Sequence, residues 1–158
     1  ASSTGGTISG AGRYLKEKNP NLFILLPDPV GSIYAEYVLT KKLSHEGTCT
    51  YFVEGVGEDH LTEAMDFSLV DAAMTVSDKD AFHMARRLAK EEGILGGGST
   101  GMNIFAAIEL AKTITKKSRI VTFAPDSGLK YLSKIFDDEW LDAHHLSSCL
   151  KSSDGQKM

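Results

Sequence analysis

Residues 1–29, ASSTGGTISGAGRYLKEKNPNLFILLPDP, read in succession as a loop rich in glycine and hydroxyls, an amphipathic helix and a short apolar strand. The helix is expected over residues 7–18, ended by Asn19-Pro20, and the strand over 22–29, halted by Pro27 and Pro29. The first turn of a helix has N–H groups without intrahelical partners, and its aligned peptide dipoles leave partial positive charge there. Such an end attracts anions, phosphate above all. Gly5 and Gly6 let the backbone approach an oxygen without an intervening Cβ, and Ser3, Thr4 and Thr7 place hydroxyl donors at the rim. The same residues would also serve simply to cap the helix, and on this stretch alone both readings stand.

Further along, the hydrophobic period switches repeatedly between two and 3.6, the mark of alternating strands and helices. The expected fold is therefore α/β, an open, mostly parallel sheet with flanking helices. The length of 158 residues suits one domain with one core. A charged fraction of 24% and a net charge of −4 give no electrostatic reason to expect nucleic acid or an anionic membrane as a partner. No apolar run reaches the ~18 residues of a membrane span. Cys49, in an expected strand, and Cys149, in a polar tail, are far apart and form no disulfide framework, which fits a reducing cytoplasm. His144 and His145 precede Cys149 but have no obvious fourth ligand, so no metal site is expected.

TCTYFVEGVGED (48–59) reads as a strand entering a glycine loop, DAAMTVS (71–77) as a strand reaching a helix cap, and residues 32–47 as ambiguous. Ser77 and Asp80 resemble a capping box, with Ala81, Ala85, Leu88 and Ala89 on one helical face and Gly93 as the stop. GILGGGSTG (93–101) leads into a second helix whose apolar face runs through Ile104, Ala107, Ile108 and Ala111. A strand RIVTFAPDSG (119–128) and a short helix LKYLSKIF (129–136) follow. The tail over 142–158 is polar and expected to fray.

Gly96, Gly98 and Gly101 match the spacing G-x-G-x-x-G, but only Ile94 and Leu95 precede them as a strand stub. A dinucleotide site is thus weakly indicated. The glycine loops at 5–6, 55–57, 96–101 and 125–128 all fall at strand ends or helix starts, and in an open α/β sheet such loops converge on the edge where ligands bind.

TGGTISGAGRYLKEKNP, VEGVGED, ARRLAKEEGILGGGSTG and PDSGLKYLSKIFDDEW, in this order, resemble the second half of the cysteine synthase/cystathionine β-synthase family of pyridoxal-phosphate enzymes. The resemblance runs from Ser3 to about Leu141, and VEGVGED, GGS and SKIFDDEWL look more like the cystathionine β-synthase branch. It implies the large domain of fold type II pyridoxal-phosphate enzymes, with residues 1–141 as the carboxyl-terminal part of the catalytic domain. By the same resemblance Ser3, Thr4, Gly5, Gly6 and Thr7 would hold the 5′-phosphate of pyridoxal 5′-phosphate, although the family motif starts with Gly where this chain has Ser3. Ser99 would face the pyridine nitrogen with Pro125 and Asp126 beside that ring edge, and Gly55, Val56, Gly57 and Glu58 would form the substrate side. A hydroxyl at the ring nitrogen favours β-elimination and replacement over transamination.

The implied reaction condenses serine with homocysteine to cystathionine, and the family suggests a homodimer. Its catalytic lysine lies upstream of the phosphate loop. Lys16, Lys18, Lys41, Lys42, Lys90, Lys112, Lys116, Lys117, Lys130 and Lys134 lie in charged or polar settings, and none sits in the apolar surroundings that lower an amine's pKa. The expectation is therefore a portion of a longer enzyme, with no catalytic residue in this chain. Two other readings remain: a cysteine synthase using O-acetylserine and sulfide, or a noncatalytic phosphate-binding or interaction fragment.

Overall fold

A computed structural model describes residues 1–147. The chain divides into two compact units, Ala1–Val76 and a second beginning at Ser77. Cys149 and the tail from 148 onward lie outside the described residues.

The first unit contains helix α1 (Gly6–Lys18), strand β1 (Leu25–Pro29), helix α2 (Tyr34–Thr40), a 3-10 turn (Phe67–Leu69) and strand β2 (Ala72–Val76). β1 and β2 pair in parallel, Leu25 opposite Ala72 and Pro29 opposite Val76. Parallel strands need a crossover, and residues 30–71 supply it through α2 and a long loop. The ambiguous segment at 32–47 is thus in part helical.

Both prolines expected to halt β1 lie inside it, and the ladder explains why. Ala72 N–H donates to Ile24 O and Val30 N–H donates to Val76 O, so even-numbered residues of β1 face β2. Pro27 and Pro29 occupy the odd positions, where the missing N–H faces away from the partner.

Leu26, Ile33, Tyr34, Val38, Met65 and Val70 form the buried cluster of this unit, with Ile8, Leu61, Phe67 and Ala73 packed on it. The Phe67 ring meets Tyr34 and Tyr37 edge-on at centroid distances of 5.1 and 4.7 Å. Outside the cluster, Lys16 Nζ lies 2.8 Å from both Asp71 carboxylate oxygens and Asp71 Oδ2 accepts from Ile24 N–H, which ties α1 to the sheet edge.

The second unit contains helices α3 (Asp78–Glu92) and α4 (Gly98–Thr113), a 3-10 turn (Gly128–Tyr131) and helix α5 (Asp138–Ala143). The expected cap of α3 is present: Ser77 Oγ accepts from Asp80 N–H at 3.1 Å and donates to the Asp80 carboxylate at 2.6 Å. Gly93 ends the helix at φ 70°.

α4 corrects the expected apolar face. Its buried residues are Gly98, Ser99, Thr100, Gly101, Met102, Asn103 and Ala106, while Ile108 is exposed. α4 packs on α3 through small residues: a Cβ on Gly101 would lie 1.9 Å from Ala81 O. Closeness selects for size here rather than hydropathy.

Two expected strands are not strands. Residues 48–53 and 119–124 run without a ladder, because neither has a partner strand among the described residues. Cys49 is accordingly exposed. The expected helix at 129–136 is a single 3-10 turn followed by tight turns. No described helix is long and apolar enough to cross a membrane.

Candidate functional site

In the first unit, α1 begins at Gly5, whose φ of 93° belongs to the left-handed region. A Cβ there would lie 2.5 Å from Met65 Cα and Cβ, so both conformation and space call for glycine. No side chain among the described residues caps α1 and no acidic residue stands in its first turn, so its first N–H groups have no acceptor among the described residues. The space around Gly6 is open, and Thr4 and Thr7 are exposed. Capping, the alternative purpose for these hydroxyls, is thereby set aside.

A hydrogen-bond network holds the loop from behind. Gly57 N–H donates to Ser2 O at 2.8 Å, Tyr34 Oη lies 3.0 Å from Ser3 O, and Thr62 Oγ1 lies 2.8 Å from Thr4 O. Tyr34 Oη and Thr62 Oγ1 are themselves 2.9 Å apart. Each hydroxyl has one proton, so two of these three hydroxyl contacts are protonated at a time. The fully buried Tyr34 has its pKa raised, chiefly by burial.

The segment 55–58 lies against this loop. Ser3 Oγ donates to Glu58 Oε1 at 2.6 Å. The main chain of Glu58 is clamped: its N–H donates to Ser32 Oγ at 3.0 Å, and its carbonyl accepts from Ile33 N–H at 3.0 Å and Ser32 Oγ at 3.1 Å. Val56 is buried and Gly55 exposed at the turn. Beyond it, Asp59 Oδ1 accepts from His60 Nδ1 at 2.8 Å, and this pairing raises the His60 pKa and lowers that of Asp59. Glu58, Asp59 and His60 form a cluster of possible metal ligands that sequence reading did not single out. Asp59 and His60 are exposed and Glu58 is half-buried, and the described residues give no second indication of a cation.

Asp28, at the end of β1, was likewise not singled out. It is fully buried, its Oδ2 accepts from Ala35 N–H at 2.8 Å, and Oδ1 is buried without a partner. Burial raises its pKa from 3.8 to about 6, and hydrogen bonds from Ala35 and Ser32 offset this only in part. A carboxyl whose folded pKa is raised contributes stability that is fully present below the unfolded pKa and is lost as pH rises through the folded one. We therefore expect Asp28 to destabilise the fold progressively between about pH 4 and 6, by at most about 3 kcal/mol. Denaturant unfolding of the wild type and Asp28→Asn across this range should show the wild type falling relative to the variant, and parallel curves would contradict it.

In the second unit, Ser99 lies in the first turn of α4, nearly buried, and α4 also begins without a side-chain cap or a first-turn acid. Gly97 N–H donates to Asp126 O at 3.3 Å, Gly128 N–H donates to Leu95 O at 2.9 Å, and Gly96 and Ser127 form an antiparallel bridge. This pairing sets Pro125 and Asp126 beside the amino end of α4, in the same unit as Ser99. Asp126 Oδ2 accepts from Tyr131 Oη at 2.8 Å, while Oδ1 is buried without a partner. The glycines at 96–101 follow a loop after α3 instead of a strand, which removes the structural context a dinucleotide fingerprint requires.

Each unit thus brings together the expected residues it contains: 3–7 with 55–58 in the first, Ser99 with 125–126 in the second. The backing residues Tyr34 and Thr62 had no signal in the sequence, since Tyr34 fell in the ambiguous stretch and Thr62 in a loop.

Open glycine surface, helix-end N–H groups and rim hydroxyls together make a donor set of the kind that suits a phosphate. A family described as "Pyridoxal-phosphate dependent enzyme" matches residues 1–126, and the chain belongs to that family, whose cofactor is pyridoxal phosphate. The chain is 40% identical over 146 residues to cystathionine beta-synthase of Saccharomyces cerevisiae, covering 90% of this chain and 28% of the relative. It is 35% identical over 149 residues to Cysteine synthase 1 of Neurospora crassa, covering 92% and 40%. Among solved structures, an O-acetylserine dependent cystathionine beta-synthase from Helicobacter pylori matches with a TM-score of 0.71 and 32% identity, covering 84% of this chain and 40% of that one. The α/β fold with a parallel sheet is thereby that of these enzymes, and the chain spans less than half the length of these relatives.

Proposed function

We propose that this chain forms the carboxyl-terminal part of the catalytic domain of a longer β-replacement enzyme, over residues 1–141, which condenses serine with homocysteine to give cystathionine and water. The observation that carries this reading is the uncapped amino end of α1 with the segment 55–58 hydrogen-bonded along its loop. The donor set there fits a phosphate. Pyridoxal phosphate, when bound, supplies the electron sink that labilises the α-proton and the β-substituent of an amino acid.

Ser3, Thr4, Gly5, Gly6 and Thr7 would hold the phosphate through backbone N–H groups and hydroxyls. Gly55, Val56, Gly57 and Glu58 would line the amino-acid side. Ser99 would present a hydroxyl to the ring nitrogen, leaving that nitrogen less protonated than a carboxylate would and so favouring β-replacement. Pro125 and Asp126 would flank it. The catalytic lysine is assigned to the longer parent, which we infer acts as a cytoplasmic homodimer.

A second reading, cysteine synthesis from O-acetylserine and sulfide, is favoured by the Neurospora crassa relative. Mass spectrometry of products from the full-length parent decides between them. Cystathionine from serine and homocysteine is expected, whereas cysteine from O-acetylserine and sulfide alone would overturn the first reading.

A further inference from the structure

Ser3 Oγ has a single proton, and it is donated to Glu58 Oε1 at 2.6 Å. The hydroxyl is therefore committed to one anion on the loop that would serve another. We propose that Glu58 is a latch on the phosphate loop: its carboxylate occupies the Ser3 donor until a phosphate group displaces it, so that phosphate binding and the orientation of the Glu58 side chain are coupled. This rests on residues 3–7 being the phosphate loop.

The surroundings of Glu58 suit such a switch. Its main chain is held by Ser32 and Ile33, so release needs rotation of the side chain alone. The other carboxylate oxygen, Oε2, lies 3.9 Å from His60 Nδ1; that nitrogen pairs with Asp59 at 2.8 Å, so His60 offers the released carboxylate a nearby exposed imidazole and not a free donor. The Glu58 side chain is largely shielded from water, at 18% exposure, so its charge is felt by a neighbouring dianion more strongly than a solvated one would be. With phosphate seated on α1 the two anions repel, and Ser3 is free to donate to the phosphate. The carboxylate then leaves the loop and changes the face that the segment presents to an amino acid.

Titration of inorganic phosphate into the chain by calorimetry tests this without catalysis. Glu58→Ala is expected to bind phosphate roughly tenfold more tightly than the wild type, because no charged hydrogen bond must be broken first. Glu58→Gln, which keeps the shape and loses the charge, should move in the same direction. In a Ser3→Ala background the gain from Glu58→Ala should shrink severalfold, since the shared donor is gone. Unchanged or weaker phosphate binding by both Glu58 variants would overturn the latch while leaving the phosphate loop intact. So would an undiminished gain in the Ser3→Ala background. Failure of every variant and of the wild type to bind phosphate would overturn the loop assignment and the latch together.

Discussion

Gly101→Ala is expected to cost the second unit about 2 kcal/mol of stability, even though alanine is the better helix former. Inside a helix, alanine in place of glycine gains about 1 kcal/mol. Against this stands a Cβ placed 1.9 Å from Ala81 O and 2.7 Å from Ala85 N. Both atoms belong to the backbone of α3, so no side-chain rotation relieves the overlap. α3 and α4 must separate, and the packing of Phe82 against Gly98 loosens with them. Urea unfolding of the variant should show a midpoint well below the wild type. A midpoint equal to or above it would mean that the helices do not cross at Gly101.

Gly5→Ala should be of similar size and should also remove phosphate binding. Alanine at φ 93° pays about 1–2 kcal/mol for the left-handed conformation alone. Its Cβ would further fall 2.5 Å from Met65 Cα, pushing apart the start of α1 and the segment that holds it. Met65 is also the sulfur neighbour of the Ser2 and Ser9 hydroxyls, so the disturbance spreads along the loop. Gly6→Ala supplies the contrast. Its Cβ meets nothing within 4 Å, so folding should be unaffected, while a methyl group over the helix end should weaken phosphate binding. Denaturation together with phosphate titration of both variants separates the two effects. Stability preserved in Gly5→Ala would contradict the description of the loop.

Much of the fold could be read from local rules because those rules were satisfied locally. α1, the Ser77 cap and the Gly93 stop depend on residues within a few positions of one another. The misreadings share a different origin. Residues 119–124 have the composition of a strand, yet Ile120, Val121 and Phe123 are exposed and join no ladder among the described residues, and a strand exists only in a ladder. Pro27 and Pro29 looked like strand breakers because the side on which the partner lies is not encoded by the residues themselves. On α4, periodicity follows hydropathy and so selected Ile104, Ala107, Ile108 and Ala111, whereas close approach to α3 selects small residues. For the candidate site, the glycine and hydroxyl pattern pointed to residues 3–7. The Ser3–Glu58 bond and the Tyr34–Thr62 backing join residues 28–55 positions apart, and no short spacing announces them.

The central claim is that the amino end of α1 is the phosphate seat, and backbone amide resonances report on it residue by residue. On titrating the 15N-labelled chain with pyridoxal phosphate, the largest shifts should fall on Gly5, Gly6, Thr7 and Ile8, with Glu58 responding as its carboxylate leaves Ser3. Shifts confined to other residues, with these amides unmoved at saturation, would contradict it.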